Sequence, residues 1–202
     1  MEASKVILSE AERQLITDAN IILTKNSSIE KIGSQFAIMA DVYRHQTLGL
    51  KKIHPAIFDV HPKISKGEKH LGLPWLMLDY PRVFDRSGHL AIRTFFWWGN
   101  FFSIQLQVSG MYLPTFTALL PNFLKYESEW LCGFTNDAWD MQLPNENWVP
   151  VSNYTSVKAD FVLKIAKKIP IEEWENLENI LSVLYQQLTT LVGQALSTQP
   201  VK

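Results

Sequence analysis

The chain has 202 residues, of which 47% are hydrophobic, and its 19 basic residues nearly balance 20 acidic ones to give a net charge of −1. A chain this apolar and neutral is not intrinsically disordered, and its charge predicts no general attraction to nucleic acid or to an anionic membrane. Its single cysteine, Cys132, excludes an intrachain disulfide framework. No apolar run approaches the roughly 18 residues of a membrane span, so we expect one globular domain over 1–202 in the cytoplasm.

Two helices are predicted at the N-terminus. Ser9 and Glu12 have the spacing of a capping box, and aliphatic residues follow at helical spacing as far as 25–28. Ser28 is a candidate cap for a second helix ending near position 48, and one long helix with a defect at 25–28 is the alternative. Residues 50–72 then predict a long loop, with a short strand at 57–60.

The clearest β signal is an antiparallel meander over 73–109. It consists of an apolar run at 73–80, a turn at 85–88, a second run at 90–98 and a third, alternating run at 101–109. The short connections exclude parallel crossovers. A two-residue turn at Gly99-Asn100 would pair Arg93 with Leu106.

That register predicts the two faces of the meander. It places Arg93 and Trp97 on an apolar face, and Phe96 and Trp98 on the opposite, half-polar face. The polar residues expected beside Phe96 and Trp98 are Ser103, Gln105 and Gln107. A half-polar face with aromatic rings is a candidate binding surface.

The C-terminal half is harder to interpret because of its prolines. A short helix at 115–125 conflicts with Pro121, and strands are predicted at 130–134 and 138–143. A helical stripe at 157–169 ends at Pro170, and a helix of about 24 residues follows with leucines at alternating spacings of three and four. Its wide apolar arc predicts packing within the chain. Together the elements predict an α+β, two-layer fold, with N- and C-terminal helices on the sheet.

A polar cluster surrounds the turn between the first two predicted strands. Arginine binds carboxylate or phosphate through a bidentate fork, and an arginine on an apolar face needs a partner. Asp79 is the nearest candidate partner for Arg93. The cluster could bind a small anionic or polar ligand, with Lys66 on a covering loop, or it could tie down a solvated turn. Its members are Asp79, Arg82, Asp85, His89 and Arg93.

Other catalytic and metal-binding patterns are weak. All five histidines lie between positions 45 and 89, but none has a metal-ligand spacing, so no metal or cofactor is predicted. Cys132 lies in an apolar segment, which is typical of a buried structural cysteine rather than a nucleophile.

Three functions remain as hypotheses. The first is a non-catalytic binding module for an unidentified small molecule or protein, which uses Phe96, Trp98 and the loops of 110–150. The alternative is an enzyme for a small anionic or polar substrate, centred on the cluster around Arg93. The third is a structural homo-oligomer assembled through the C-terminal helix.

Overall fold

The fold has two layers, as the sequence predicted. The computed structural model describes residues 6–126, 130–137, 140–141, 143, 149–150 and 161–198. In this part of the chain an antiparallel sheet carries helices from both ends of the sequence on one face. The α+β class and the two-layer architecture are therefore confirmed.

The described helices fall at both ends of the chain and after the fourth strand. They are α1 (Glu10–Thr17), α2 (Ala19–Gln46), α3 (Leu48–Ile53), α4 (Pro55–Phe58), α5 (Leu113–Tyr126) and α6 (Leu177–Ser197), with 3-10 turns at Gly110–Tyr112 and Ile171–Asn176. The predicted capping box is present at the start of α1. The interruption expected at 25–28 is wrong, because α2 runs through it and the break lies at Asp18.

The described sheet has seven strands in the order β1-β2-β3-β4-β7-β5-β6, and each neighbouring pair is antiparallel. The strands are β1 (Lys63–His70), β2 (Leu73–Phe84), β3 (His89–Trp97), β4 (Phe101–Val108), β5 (Leu131–Thr135), β6 (Val149–Pro150) and β7 (Val162–Ile169). The predicted meander is β2-β3-β4.

Two segments differ from their sequence-based assignments. Residues 50–72 are not one loop, because they contain α3, α4 and the edge strand β1, and the strand predicted at 57–60 is replaced by α4. Residues 162–169 form β7 rather than a helix. The predicted strand at 138–143 lies partly outside the described residues, and its described members Asp140 and Met141 are not in a strand.

The predicted register between β3 and β4 is wrong by one residue. Trp97 pairs with Phe101 and Arg93 pairs with Gln105, so the loop has three residues, Trp98-Gly99-Asn100. Gly99 accommodates this loop at a φ of +69°. Successive residues of a strand point to opposite faces of the sheet. A shift of one residue between β3 and β4 therefore places each β3 side chain beside the β4 residues that were predicted on the other face.

We call the two surfaces of the sheet the helix face and the polar face. Phe96 lies on the helix face with Phe102 and Ile104, where α2, α5 and α6 cover it. Arg93 lies on the polar face with Gln105 and Gln107, and its cover there includes Met141. The polar residue Thr94 on the helix face is satisfied by the Tyr43 hydroxyl at 2.8 Å.

The C-terminal helix packs within the chain, as its wide apolar arc predicted. Leu184, Leu188 and Leu191 on α6 are all 5% exposed or less. These are the residues that would have formed a seam between two copies. These leucines already belong to the core of the chain, so they are not exposed for contact with a second copy.

Candidate functional site

Arg93 and Asp79 form a buried ion pair on the polar face. The Arg93 Nε atom donates to Asp79 Oδ1 at 2.7 Å, and Nη2 donates to Oδ2 at 3.2 Å. The two residues lie directly opposite each other on β3 and β2, and they are 1% and 5% exposed. The bidentate geometry satisfies the carboxylate in a setting where an unpaired charge would be very costly.

The other residues of the predicted cluster do not join this pair. Arg82 donates from Nε to the backbone oxygen of His61 at 3.0 Å. Asp85 is exposed and accepts from the backbone N–H groups of Ser87 and Gly88, so it holds the turn. The His89 ring lies against Phe84, with ring centroids 5.4 Å apart.

Lys66 is also placed differently from its prediction. It is an exposed residue of strand β1, opposite Leu76 on β2, and not part of a covering loop. The enzyme hypothesis required Arg93 and at least two partners to converge on one concavity. Of the four candidate partners Asp79, Arg82, Asp85 and His89, the described contacts join only Asp79 to Arg93, so we do not carry this hypothesis forward.

Several buried polar residues surround the ion pair. The sequence placed Ser103, Gln105 and Gln107 beside Phe96 and Trp98, whereas the structure places them on the face of Arg93, and it did not single out Lys164. Ser103, Gln105 and Gln107 on β4 are at most 1% exposed, and Lys164 on β7 is fully buried. The Lys164 ammonium group donates to the backbone oxygen of Asp140. Burial lowers the pKa of Lys164 to about 8, although Asp140 opposes this shift.

A second candidate site is an aromatic groove on the helix face, where β3, β4 and α2 meet the 3-10 turn after β7. Its volume is about 400 Å³. The ring centroids of Phe96 and Phe102 are 4.9 Å apart, and the Trp174 ring stacks on Phe102 at 6.1 Å. The groove is lined by Ser28, Lys31, Ile32, Phe96, Trp98, Gly99, Phe102, Ile171 and Trp174.

The groove brings together the two aromatic residues predicted to bind a ligand, but not in the predicted way. Phe96 was predicted on a half-polar binding surface, but it lies on the helix face and is only 3% exposed, although it lines the groove. Trp98 is partly buried at its edge, 6.3 Å from Phe96 between ring centroids. Trp174 and Lys31 were missed, because each lies some 70 residues from the sheet residues that it joins.

The histidines and the cysteine form no reactive centre within the described residues. No group of three His, Cys, Asp or Glu side chains there could hold a metal ion. His45 and His61 line a small cavity of about 190 Å³ beside the ion pair of Lys51 with Asp59. Burial raises the pKa of the Cys132 thiol to about 12, which leaves little thiolate at neutral pH.

Comparison with known proteins adds no assignment. The chain matches no protein-family model, and no curated protein or solved structure is significantly similar to it. None of the helices in the described ranges has the length and apolar character needed to cross a bilayer.

Proposed function

We propose that the protein is a non-catalytic binding module whose aromatic groove takes a small, flat, apolar molecule bearing one anionic group. The observation that supports this most directly is the convergence of four aromatic rings on one open groove with a lysine at its rim. The rings are those of Phe96, Trp98, Phe102 and Trp174, and the lysine is Lys31.

The size and lining of the groove suit a small molecule. Small-molecule sites enclose roughly 300–1,000 Å³ and combine apolar walls with a few polar groups, and this groove holds about 400 Å³. Aromatic side chains prefer offset or edge-to-face contacts with other rings. A flat ligand between Trp98 and Trp174 would extend the ring contacts already present across the groove.

The polar rim defines the charge of the ligand. Lys31 is exposed and makes no ion pair with any described residue. The Ser28 hydroxyl donates to the backbone oxygen of Thr24 and keeps its lone pairs for an incoming donor. Among the described residues, none that lines the groove is acidic. One cation without a competing acid favours a carboxylate or sulfonate over a cationic ligand.

A cytoplasmic location belongs to the same proposal. The only cysteine of the chain is a free, partly buried thiol. A fold that uses no disulfide suits a reducing compartment, where thiols stay reduced.

The direct test is calorimetric titration with 2-naphthoate and with its uncharged analogue 2-naphthalenemethanol. We expect 2-naphthoate to bind, and Trp174→Ala to weaken both probes about tenfold, which is about 1.4 kcal/mol. Lys31→Glu should weaken 2-naphthoate by a similar factor and leave 2-naphthalenemethanol unchanged.

The matched control is Lys52→Glu, which makes the same charge change at an exposed position of α3 outside the groove. It should leave both affinities unchanged. Equal affinities in the wild type and in folded Trp174→Ala would show that the groove is not the site. Loss of 2-naphthoate binding in Lys52→Glu would reduce the role of Lys31 to that of general surface charge.

A further inference from the structure

The first described helices form an arm that the rest of the described chain leaves uncovered. We call residues 6–27 the N-terminal arm, which contains α1 and the first turns of α2. Within it every residue is exposed except Lys25, which is half-buried, and the first fully buried residue of α2 is Ile32. Eight aliphatic side chains between Val6 and Leu23 are each at least 43% exposed. Such a concentration of exposed apolar side chains is typical of an interaction surface.

Helix α1 is amphipathic but contains no buried residue. On its polar side, Arg13 Nη2 donates to Glu10 Oε2 at 2.8 Å and Gln14 Nε2 donates to Glu10 Oε1 at 3.3 Å. Helical periodicity places Leu15 and Ile16 on the opposite side, where they are 52% and 67% exposed. A helix this short is marginally stable in water when it packs against nothing. The apolar side of α1 therefore needs a cover.

The apolar stripe of α2 extends from the core onto the arm. Ile22, Ile29 and Phe36 follow one another at intervals of seven residues, so they lie on nearly the same side of the helix. Phe36 is fully buried and meets Phe102 on β4 at 6.5 Å between ring centroids. Ile29 is half-buried against the core, whereas Ile22 is 56% exposed. The packing surface of α2 thus continues beyond the sheet that covers it.

The charges of the arm indicate which cover suits it. The arm has three acidic and two basic residues, which give a net charge of −1: Glu10, Glu12, Asp18, Arg13 and Lys25. Helices that lie on anionic bilayers are rich in lysine and arginine on their polar side, and α1 has only one such residue. A net charge of −1 also produces little repulsion between two copies of the arm.

The apolar area of the arm fits a second copy of this chain. At the observed exposures the eight aliphatic residues present on the order of 800 Å², which matches the roughly 800 Å² that each partner contributes to a standard interface. Homodimer interfaces are also more apolar than other interfaces. In a twofold contact the same patch is used by both protomers, so the uncovered side of α1 can meet the uncovered stripe of α2.

We propose that two copies of the chain associate through their N-terminal arms into a twofold symmetric dimer. The apolar side of α1 in one protomer packs on the exposed start of α2 in the other, so that Leu15 and Ile16 cover Ile22. Each arm thereby gains the cover that its own chain does not provide. The dimer contact lies outside the aromatic groove and does not depend on a ligand there.

The test is sedimentation velocity of the full chain at concentrations between about 1 and 100 μM. We expect a mass that approaches twice 23.2 kDa, with a dissociation constant in the micromolar range. Ile22→Asp and Leu15→Asp each place a charge in the contact and should raise this constant at least about tenfold. A wild-type chain that remains monomeric at about 100 μM would overturn the proposal.

The matched control is Ile53→Asp, which makes the same change at a position of α3 that is 70% exposed and outside the arm. It should leave the dissociation constant unchanged, and so should Trp174→Ala in the aromatic groove, so this proposal and the proposed function can fail separately. If Ile22→Asp and Leu15→Asp dimerise as tightly as the wild type, the arm is not the interface. An equal weakening by Ile53→Asp would also overturn the proposal.

Flotation with phosphatidylcholine vesicles tests lipid as the other cover. We expect the wild type not to float with the vesicles, because its arms are already covered by each other. Flotation of the wild type that is lost in Ile22→Asp would assign the arm to a membrane surface and overturn the dimer.

Discussion

The two faces of the sheet are made by alternate residues of the same strands, yet they follow different chemistry. On β4, Ile104 and Leu106 face the helices, whereas Gln105 and Gln107 lie on the polar face, and all four are at most 1% exposed. Both sides of β4 are therefore buried from solvent. The helix face gains stability from buried apolar area. The polar face buries charges at a cost, which in other proteins is often a sign of function.

The largest expected effect comes from separating the buried ion pair on the polar face. Arg93→Met leaves Asp79 buried without its partner and should lower the free energy of unfolding by about 3–5 kcal/mol. The double variant Asp79→Leu/Arg93→Met removes both charges and should recover most of that loss. Urea denaturation followed by far-UV circular dichroism measures both. If the double variant is as unstable as Arg93→Met, the ion pair makes a net contribution to the free energy of unfolding, and the loss in Arg93→Met is not only the cost of leaving Asp79 unpaired.

Neighbouring residues of β4 compare the two faces directly. Leu106→Ala leaves a cavity under the helices and should lower the free energy of unfolding by about 2–5 kcal/mol. Gln107→Leu keeps the volume and removes the 3.5 Å contact with Gln105, which is the polar contact of this side chain among the described residues, so its effect should stay below about 1 kcal/mol. The same denaturation assay applies. If Gln107→Leu costs as much as Leu106→Ala, the polar face contributes to stability as strongly as the helix face.

The buried Lys164 should make the contribution of the polar face to the free energy of unfolding depend on pH. Burial disfavours the charged form of Lys164 more than its neighbouring carboxylates favour it, so at pH 7 Lys164→Met should have a higher free energy of unfolding than the wild type. The native pKa is about 8 against 10.5 in the unfolded chain, so between these values the unfolded state binds more protons and wild-type stability rises with pH. The advantage of Lys164→Met should therefore shrink between about pH 8 and pH 10.5. A difference that is constant from pH 7 to pH 10 would show that Lys164 is not titrating.

The smallest expected effect concerns the three-residue loop between β3 and β4, whose length sets the register of the two strands. Gly99 has a φ of +69° and no neighbour within 4 Å of an added Cβ, so only backbone strain opposes a side chain there. Gly99→Ala should cost about 1 kcal/mol, and Gly99→Asn less, because asparagine adopts this conformation more readily. Thermal unfolding resolves the two. Equal midpoints for both variants and the wild type would mean that a side chain at position 99 is accommodated without backbone strain.

The fold was predictable where a strand has one apolar and one polar side. Residues 101–109 alternate regularly, and β4 occupies almost the same range. Strand β7 was missed because Lys164 is buried between Leu163 and Ile165, so its polar side looked like the exposed side of a helix. Strand β1 was missed because an exposed edge strand needs no apolar side.

The candidate sites were only partly predictable, for reasons of geometry. The sequence indicated that Arg93 needs an acid and named Asp79, because the two lie near each other in a meander. Met141 and Lys164 come from distant segments, and pairing between strands far apart in sequence leaves no local pattern. The sequence paired each β3 side chain with the wrong face of β4, because loops of two and of three residues are both compatible with Gly99-Asn100.

The charged edge strand has a consequence for how the protein behaves at high concentration. Among the described strands β1 lies at one end of the sheet, so one side of its backbone has no partner strand and could template the addition of another chain. It carries Lys63, Lys66 and Lys69 against one acid, Glu68, which is a charge of +2. Two copies approaching edge to edge would bring +2 against +2, and Glu68 is already held by Lys25 at 2.5 Å. Repulsion between lysines thus protects this edge from intermolecular sheet growth.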